Sequence, residues 1–238
     1  MKEHFIHSAF ARRGLTDEYA FQEVVVENCY RLPERLDGPV IDIGGHVGSF
    51  VYAALERHAT KVYTYEPDPR NFAHLELNIA VHPRGSVVEP YNAAVWRSDR
   101  PGELLPMAAY GYGAMTNPAG GGVAFADAVQ SFLVPSISFA AVMDKIDPDE
   151  EVEYLKVDCE GAEFCILLTA PPGSLERCKR IGIETHPRIL FHGRAIVHGF
   201  GPMSEFMLAR YLERRGFECE IVEQPKLKGF PMIYATRR

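Results

Sequence analysis

The chain has few cysteines, no strong positive charge and no long apolar run, and each shortage removes a class of protein. Five cysteines, Cys29, Cys159, Cys165, Cys178 and Cys219, occur in 238 residues. The number is odd and no CxxC spacing is present, so neither a disulfide framework nor a zinc site is indicated. Reduced thiols in a cytoplasmic protein fit better. Lys plus Arg total 25 against 32 Asp plus Glu, a net charge of −7. Binding to a nucleic-acid backbone rests on neutralising phosphates, and this balance argues against it. The short basic runs "LERCKR" and "LERRG" read as ordinary helix surface. No segment is long and apolar enough to span a membrane. The N-terminal "MKEHFIHSAFARRGLTDEYAF" lacks the apolar core and small-residue cleavage site of a signal peptide. No internal repeat is visible.

What is present is an alternation of strand-like and helix-like segments. Residues 16–31 read as a helix with Thr16 as its N-cap and Asp17 and Glu18 in its first turn. Phe21 and Val24 to Val26 on it read either as core or as a homodimer contact. Residues 39–43 are a first strand, and 47–57 fit a helix with Val47, Val51, Ala54 and Leu55 on one face. "KVYTYEPD" is a second strand, followed by a helix with Phe72, Leu75, Leu77 and Ile79 available to pack; "SVVEPYNAAV" is a third strand. "VPSISFAAVMDKI" gives a short strand and helix. "EVEYLKVDCEGAEFCILL" is strand, acidic turn and helix, and "RIGIETHP" is another strand. A helix with Ser204 as N-cap and Gly216 past its end precedes two closing strands, "FECEIVEQ" and "PMIYATRR". Residues 97–133, rich in Gly and Ala, read as an irregular excursion or lid over a site, and "FHGRAIVHGFGPM" as a second irregular stretch.

This order predicts an α/β fold: a mostly parallel sheet with helices on both faces. A length of 238 residues suits one domain, read as a helical extension over 1–38 and a catalytic domain over 39–238. In such sheets ligands bind beyond the carboxyl ends of the strands, where strand order reverses. The informative residues are therefore Asp42–Gly48, Glu66, Asn92, Asp158–Glu160 and Glu184–His186.

"PVIDIGGHVGSF" (39–50) places Gly44, Gly45, His46 and Gly48 between a strand and a helix. The GxGxxG spacing of dinucleotide sites is missing. Asp42 stands where a pyrophosphate would be repelled, and suits a cationic or amine-bearing ligand. Glu66 ends the second strand 18 residues after Gly48, the place of an acid that accepts from ribose hydroxyls. A ribose, a cation or amine and no phosphate together describe S-adenosylmethionine. In "EYLKVDCEGAEF" (153–164), Lys156 and Asp158 share a strand face, and Asp158, Glu160 and Glu163 crowd the exit of a buried strand. Ionisable groups there must pair or act. Asp158 and Glu160 read as functional, and Glu163 as solvent-facing on the next helix. Glu184 and His186 share a face of the following strand, which makes His186 a base or ligand candidate.

These blocks, with "VYTYEPDP", "NAAVW", "VPSISFAAVM" and above all "YLKVDCEGAEFCILL", resemble the FkbM family of S-adenosylmethionine-dependent methyltransferases over about residues 38–190. The resemblance implies a Rossmann-like class I methyltransferase fold, with a seven-stranded sheet carrying one antiparallel strand. It implies O-methylation of a small molecule or sugar in secondary-metabolite or polysaccharide pathways. By the same resemblance Asp42, Gly44, His46 and Gly48, with Gly45 among them, would line the methionine part of the cofactor. Glu66, with Pro67 beside it, would hold the ribose; Asp68 or Asn92–Ala93 would lie near the adenine, and Asp158 near the transferred methyl. The family carries asparagine where this chain has His46.

Methyl transfer to a hydroxyl needs alignment and a route for the proton. His186, Asp158 or Glu160 is the candidate general base. Asp158, Glu160, Glu184 and His186 are candidate magnesium ligands, although no spacing fixes a ligand set. His192, His198, Tyr110 and Tyr112 are candidate contacts to a hydroxylated acceptor, or plain surface and packing residues. "NPAG" at 117–120 lacks the aromatic of an amino-methyltransferase motif and is set aside. A nicotinamide-dependent oxidoreductase, a non-catalytic protein of this fold and an RNA methyltransferase are the competing readings.

Overall fold

A computed structural model describes residues 15–109, 130–186, 203–224 and 230–238. Tyr110, Tyr112, the segment 117–120, His192 and His198 lie outside the described residues. The main sheet is built from β1 (Pro39–Ile43), β2 (Lys61–Tyr65), β3 (Val88–Tyr91), β7 (Tyr154–Val157), β8 (Arg180–Glu184), β9 (Phe217–Val222) and β10 (Met232–Arg237). Their order is β3-β2-β1-β7-β8-β10-β9. β10 runs antiparallel to both of its neighbours, and the remaining pairs are parallel. β1 is flanked by β2 and β7 and is buried at every residue, as expected of a central parallel strand covered on both faces. The order turns between β1 and β7, so the carboxyl ends of these strands frame the switch point.

Local chemistry explains the connecting helices. α2 (Ser49–Glu56) starts after Gly48, whose φ is +100°. α3 (Pro69–Val81) has proline at its first position, and Asp68 caps it by accepting from the Arg70 N–H. Leu75 of α3 is buried, whereas Leu77 is 64% exposed, so Leu77 does not pack as the sequence suggested. α6 (Glu205–Glu213) is capped by the Ser204 hydroxyl, which accepts from the Met207 N–H at 3.2 Å, and Gly216 takes a positive φ beyond its end.

Two expectations are corrected. The helix expected over 16–31 is α1 (Leu15–Phe21) continued by a π-helical turn over Gln22–Val26. Thr16 lies inside α1 rather than capping it. Three consecutive β-branched valines are poor helix formers, and Asn28 then takes a left-handed conformation at φ 52°. Its side chain bonds the N–H and the carbonyl of Leu32, each at 2.9 Å, which fixes the turn that replaces the helix. Of the valines, Val24 and Val25 pack on the core, and Val26 is exposed.

The second correction concerns 97–133. Inside it lies β5 (Leu104–Ala109), which pairs antiparallel with β6 (Gln130–Ser138), a strand that starts earlier than the one expected in "VPSIS"; β4 (Ala94–Trp96), just before this segment, pairs parallel with β6. They form a separate three-stranded sheet. Leu105, Met107 and Val134 are buried while Leu104 and Leu133 are exposed, a period of two that was in the sequence but masked by its Gly- and Ala-rich surroundings. Pro106 is tolerated because β5 is an edge strand. α4 (Phe139–Met143) follows β6, and α5 (Glu163–Leu168) follows β7.

Candidate active site

Gly44 and Gly45 let the exit of β1 approach its neighbours closely. Both N–H groups donate to the Tyr65 carbonyl. A Cβ on Gly44 would lie 1.8 Å from the Asp158 carbonyl oxygen, and one on Gly45 would lie 2.4 Å from the Thr64 hydroxyl. His46 adopts φ 49°, and its Nε2 stands 3.4 Å from Oδ1 of Asp17 on α1.

The His46 N–H donates to Glu66 Oε2 at 2.8 Å, and the Asp68 N–H donates to Glu66 Oε1 at 2.8 Å. Each oxygen of this buried carboxylate therefore has one backbone donor and a lone pair to spare. Burial pushes its pKa up to about 7, against the pull of the two N–H groups. Asn92 ties the turn together, donating from Nδ2 to the carbonyls of Glu66 at 2.8 Å and Pro67 at 3.1 Å. The Ala93 N–H donates to the Tyr91 carbonyl. Asp68 is committed to Arg70, with Oδ2 2.8 Å from its guanidinium.

Asp42 is fully buried. The cation that its position calls for is supplied by the chain itself. Lys156 Nζ lies 3.2 Å from Asp42 Oδ1, and the Thr64 hydroxyl donates to Oδ2 at 2.9 Å. The same ammonium is 3.7 Å from Asp158 Oδ2 and donates to the Gly44 carbonyl. Burial works against its charge, but Asp42 and Asp158 outweigh burial and hold its pKa above the ordinary lysine range. Lys156 and Asp158 thus share a face, as the alternation of β7 required.

Asp158 follows β7 and keeps 27% of its side chain exposed. Burial acts to raise its pKa, but Lys156 and His186 prevail, with a hydrogen bond from Tyr30, and hold it below the usual carboxylate range. Glu160 sits on the tight turn beyond it, at φ 56°, before Gly161 at φ 102°. Burial lifts the Glu160 pKa to about 7. Its Oε2 is buried without a hydrogen-bond partner and lies 3.7 Å from His186 Nε2.

Glu163 does not face solvent. It is completely buried, and its Oε1 accepts from the N–H groups of Cys159 and Gly161 at 3.0 and 3.1 Å. The same oxygen lies 2.8 Å from His186 Nδ1. As the first residue of α5 it folds back over its own turn, where free N–H groups await an acceptor. Burial opposes a charge on His186, but Glu163 and Glu160 outweigh it and hold the imidazole pKa well above its usual value. Glu184 accepts from Gln224 Nε2 at 3.1 Å. Burial and the charge of Asp158 push its carboxyl up to about 8. Among the described residues, donor atoms of Asp158, Glu160 and His186 lie within 4.8 Å of one another. Glu160 therefore replaces Glu184 in the tightest cluster.

Sequence reasoning missed three contributors. Tyr30 donates its hydroxyl to Asp158 Oδ2 at 2.8 Å across 128 positions, with no local motif to announce it. Gln224 reaches Glu184 from beyond β9. The Glu163 role had a local signal, because an acid opening a helix just after a turn can accept that turn's N–H groups.

The sequence matches the Methyltransferase FkbM domain over residues 42–219. No curated protein sequence matches it. Similar solved structures include a conserved hypothetical protein of Streptococcus pyogenes, at 10% identity and TM-score 0.44 over 86% of this chain and 89% of that one. Another is TrmK of M. capricolum in complex with S-adenosyl-homocysteine, at 8% identity and TM-score 0.48 over 90% and 67%. A third is precorrin-6y C5,15-methyltransferase of Geobacter metallireducens, at 13% identity and TM-score 0.46 over 97% and 94%. At these scores they add nothing to the family assignment. With the strand order and the match over 42–219 in hand, the chain belongs to the FkbM methyltransferase family.

Proposed function

We propose that this methyltransferase uses S-adenosylmethionine to methylate a hydroxyl of a small molecule or sugar. The observation that carries the reading is the Glu160 carboxylate, at the switch point of the sheet, with a buried oxygen that has no hydrogen-bond partner. A carboxyl with a pKa near 7 can take a proton at neutral pH, which transfer to a hydroxyl requires.

The residues present fit the cofactor. Glu66 retains acceptor capacity for a ribose diol, and the buried Ser49 hydroxyl opening α2 has no hydrogen-bond partner. Gly44, Gly45, His46 and Gly48 would line the amino-acid portion, with the Asp42–Lys156 pair holding the floor beneath them. Asn92, Ala93 and Pro67 would border the base. The bound cofactor supplies an electrophilic methyl on a positively charged sulfur. Asp158, kept ionised, complements that charge. Glu160 receives the hydroxyl proton, while its buried Oε2 stays on the His186 side. His186, charged and fixed by Glu163, steadies Glu160 as its protonation changes and is not itself the base. Residues 39–238 form the catalytic domain in this reading.

A magnesium ion fits the cluster poorly. Magnesium favours an all-oxygen set, whereas one of the three donors clustered here among the described residues is the imidazole of His186, whose Nδ1 is already engaged by Glu163. The proton step is accordingly assigned to side chains.

Calorimetric titration with S-adenosylmethionine, S-adenosylhomocysteine and NAD is the test, followed by methyl transfer to a panel of hydroxylated acceptors with and without chelator. Binding of the sulfur ligands alone and chelator-resistant transfer to oxygen are expected. Failure of both sulfur ligands to bind would leave a non-catalytic protein of this fold. Transfer abolished by chelator would restore the metal.

A further inference from the structure

We infer that Tyr30 is a positioning residue of the site: its hydroxyl orients the Asp158 carboxylate toward the cofactor's positive charge. The inference rests on the methyltransferase reading above. It extends the site to a residue that lies before the matched region 42–219.

The segment around Tyr30 is fastened to the sheet from several directions. The Tyr154 hydroxyl, from β7, donates to the Tyr30 carbonyl. The Tyr234 hydroxyl, from β10, donates to the Cys29 carbonyl at 2.5 Å. Arg31 pairs with Glu220 of β9 at 2.6 Å and lies over the Tyr234 ring at 3.9 Å. Asn28 and Arg31, both at positive φ, bracket the turn that aims Tyr30 inward. The Tyr30 ring meets Phe50 of α2 edge-on, with centroids 5.5 Å apart. So anchored, the buried phenol gives its one proton to Asp158 Oδ2 at 2.8 Å.

Lys156 approaches the same oxygen at 3.7 Å. The hydrogen bond and the nearest positive charge thus both fall on Oδ2, and the exposed part of the carboxylate is left to meet a ligand. A hydrogen bond to one oxygen sets the rotation of the carboxylate plane, which a lysine, as a point charge, does not. This is a reason for a phenol here that packing alone does not provide, since phenylalanine would fill the same space.

The test is Tyr30→Phe in the full chain, with affinities for S-adenosylmethionine and S-adenosylhomocysteine compared by calorimetry from pH 5 to 9. The first ligand carries a positive sulfur and the second a neutral one. A misoriented Asp158 weakens the first selectively. The expected result is a loss of roughly 5–10-fold for S-adenosylmethionine, with less than about 2-fold for S-adenosylhomocysteine. Asp158 stays below the usual carboxylate range, so the difference between the two ligands should persist across this whole pH interval. Asp158 is faced there by Lys156, His186 and His46, which favour its charge, and by Glu160 and Glu184, which oppose it.

Equal weakening of both ligands, or of neither, would overturn the inference, because a merely structural tyrosine does not distinguish them. The second variant, Tyr154→Phe, frees the Tyr30 carbonyl but keeps its hydroxyl. It should lower the ratio of the two affinities in the same direction and by less, and an unchanged ratio counts against the inference even where Tyr30→Phe does not fold. A wild-type chain that binds neither sulfur ligand overturns the methyltransferase reading, and this inference with it. Binding of both, with a ratio that ignores Tyr30→Phe, overturns this inference alone.

Discussion

The two sides of the switch point hold their acids by different means. At the exit of β2, Glu66 is held by the backbone N–H groups of His46 and Asp68. At the exit of β7, Asp158 is held by the side chains of Tyr30 and Lys156, and His186 by the side chain of Glu163. The first arrangement follows from the path of the chain and changes little when side chains change. The second depends on particular residues brought from distant positions. A backbone-lined wall suits a cofactor whose shape never varies. Glu66 and Glu160 both titrate near 7, but only the side-chain cluster sets such a carboxyl beside an imidazole, which suits proton traffic.

The sharpest way to separate the two sides is Glu160→Gln. It removes the proposed base while the β2 side stays intact. Turnover on an identified acceptor should fall by about 10²–10⁴, while S-adenosylhomocysteine affinity changes by less than about 3-fold. A parallel loss of affinity would show that the two sides are not separable. Gly44→Ala attacks the seam where they meet. Its Cβ would strike the Asp158 carbonyl oxygen, at a φ of +88°. A cost of about 3 kcal/mol or more is expected, read as a melting temperature lower by roughly 6–12 °C.

Glu66→Gln tests the β2 side alone. One of its two N–H donors would face an amide NH2, and an acceptor for the ribose would be lost. Affinity for S-adenosylhomocysteine should drop by about 10-fold, or ~1.4 kcal/mol, and an unchanged value would remove Glu66 from the pocket. The smallest effect is thermodynamic. The Glu184 carboxyl is held up at about 8, against an ordinary value of 4.5. The folded chain keeps a proton there that the unfolded chain releases, so this group costs stability progressively as pH rises through that window and nothing below it. Glu184→Gln should raise the melting temperature by roughly 2–4 °C at pH 8.5 and leave it unchanged at pH 4. An equal shift at both values would assign the effect to packing.

The same contrast governs what could be read from the sequence. The seven strands of the main sheet, the glycine turn and Glu66 follow from short-range patterns, although the segment expected as the third strand divides into β3 and, in the other sheet, β4. Asp42 was read as suiting a cationic ligand, but its partner is Lys156, 114 positions along the chain, and only the pairing of β1 with β7 brings the two together. Tyr30 left no trace because its neighbours look helical, and the turn between Asn28 and Leu32 that redirects it does not show from sequence which distant carboxylate the phenol will meet. Glu163 was misread for a subtler reason. An acid early in a helix is normally exposed, and its burial here depends on His186 arriving from β8. The β5–β6 hairpin was obscured by composition, since small residues dilute the alternation that marks a strand.

The anchoring of Tyr30 also bears on how the chain acquires its working shape. Cys29 is held by Tyr234 and Arg31 by Glu220, contacts spanning 205 and 189 positions. This stretch therefore takes part of its anchoring from strands that are made long after it. The β1–β2–β3 half is built from neighbouring segments, whereas the Tyr30 segment, anchored by Tyr154 of β7 and Phe50 of α2, has its full set of contacts only when β9 and β10 have joined the sheet. Nascent chains stalled short of β9 should therefore hold Tyr30 more loosely than chains that include β10, which links the final setting of Asp158 to the last strands of this sheet.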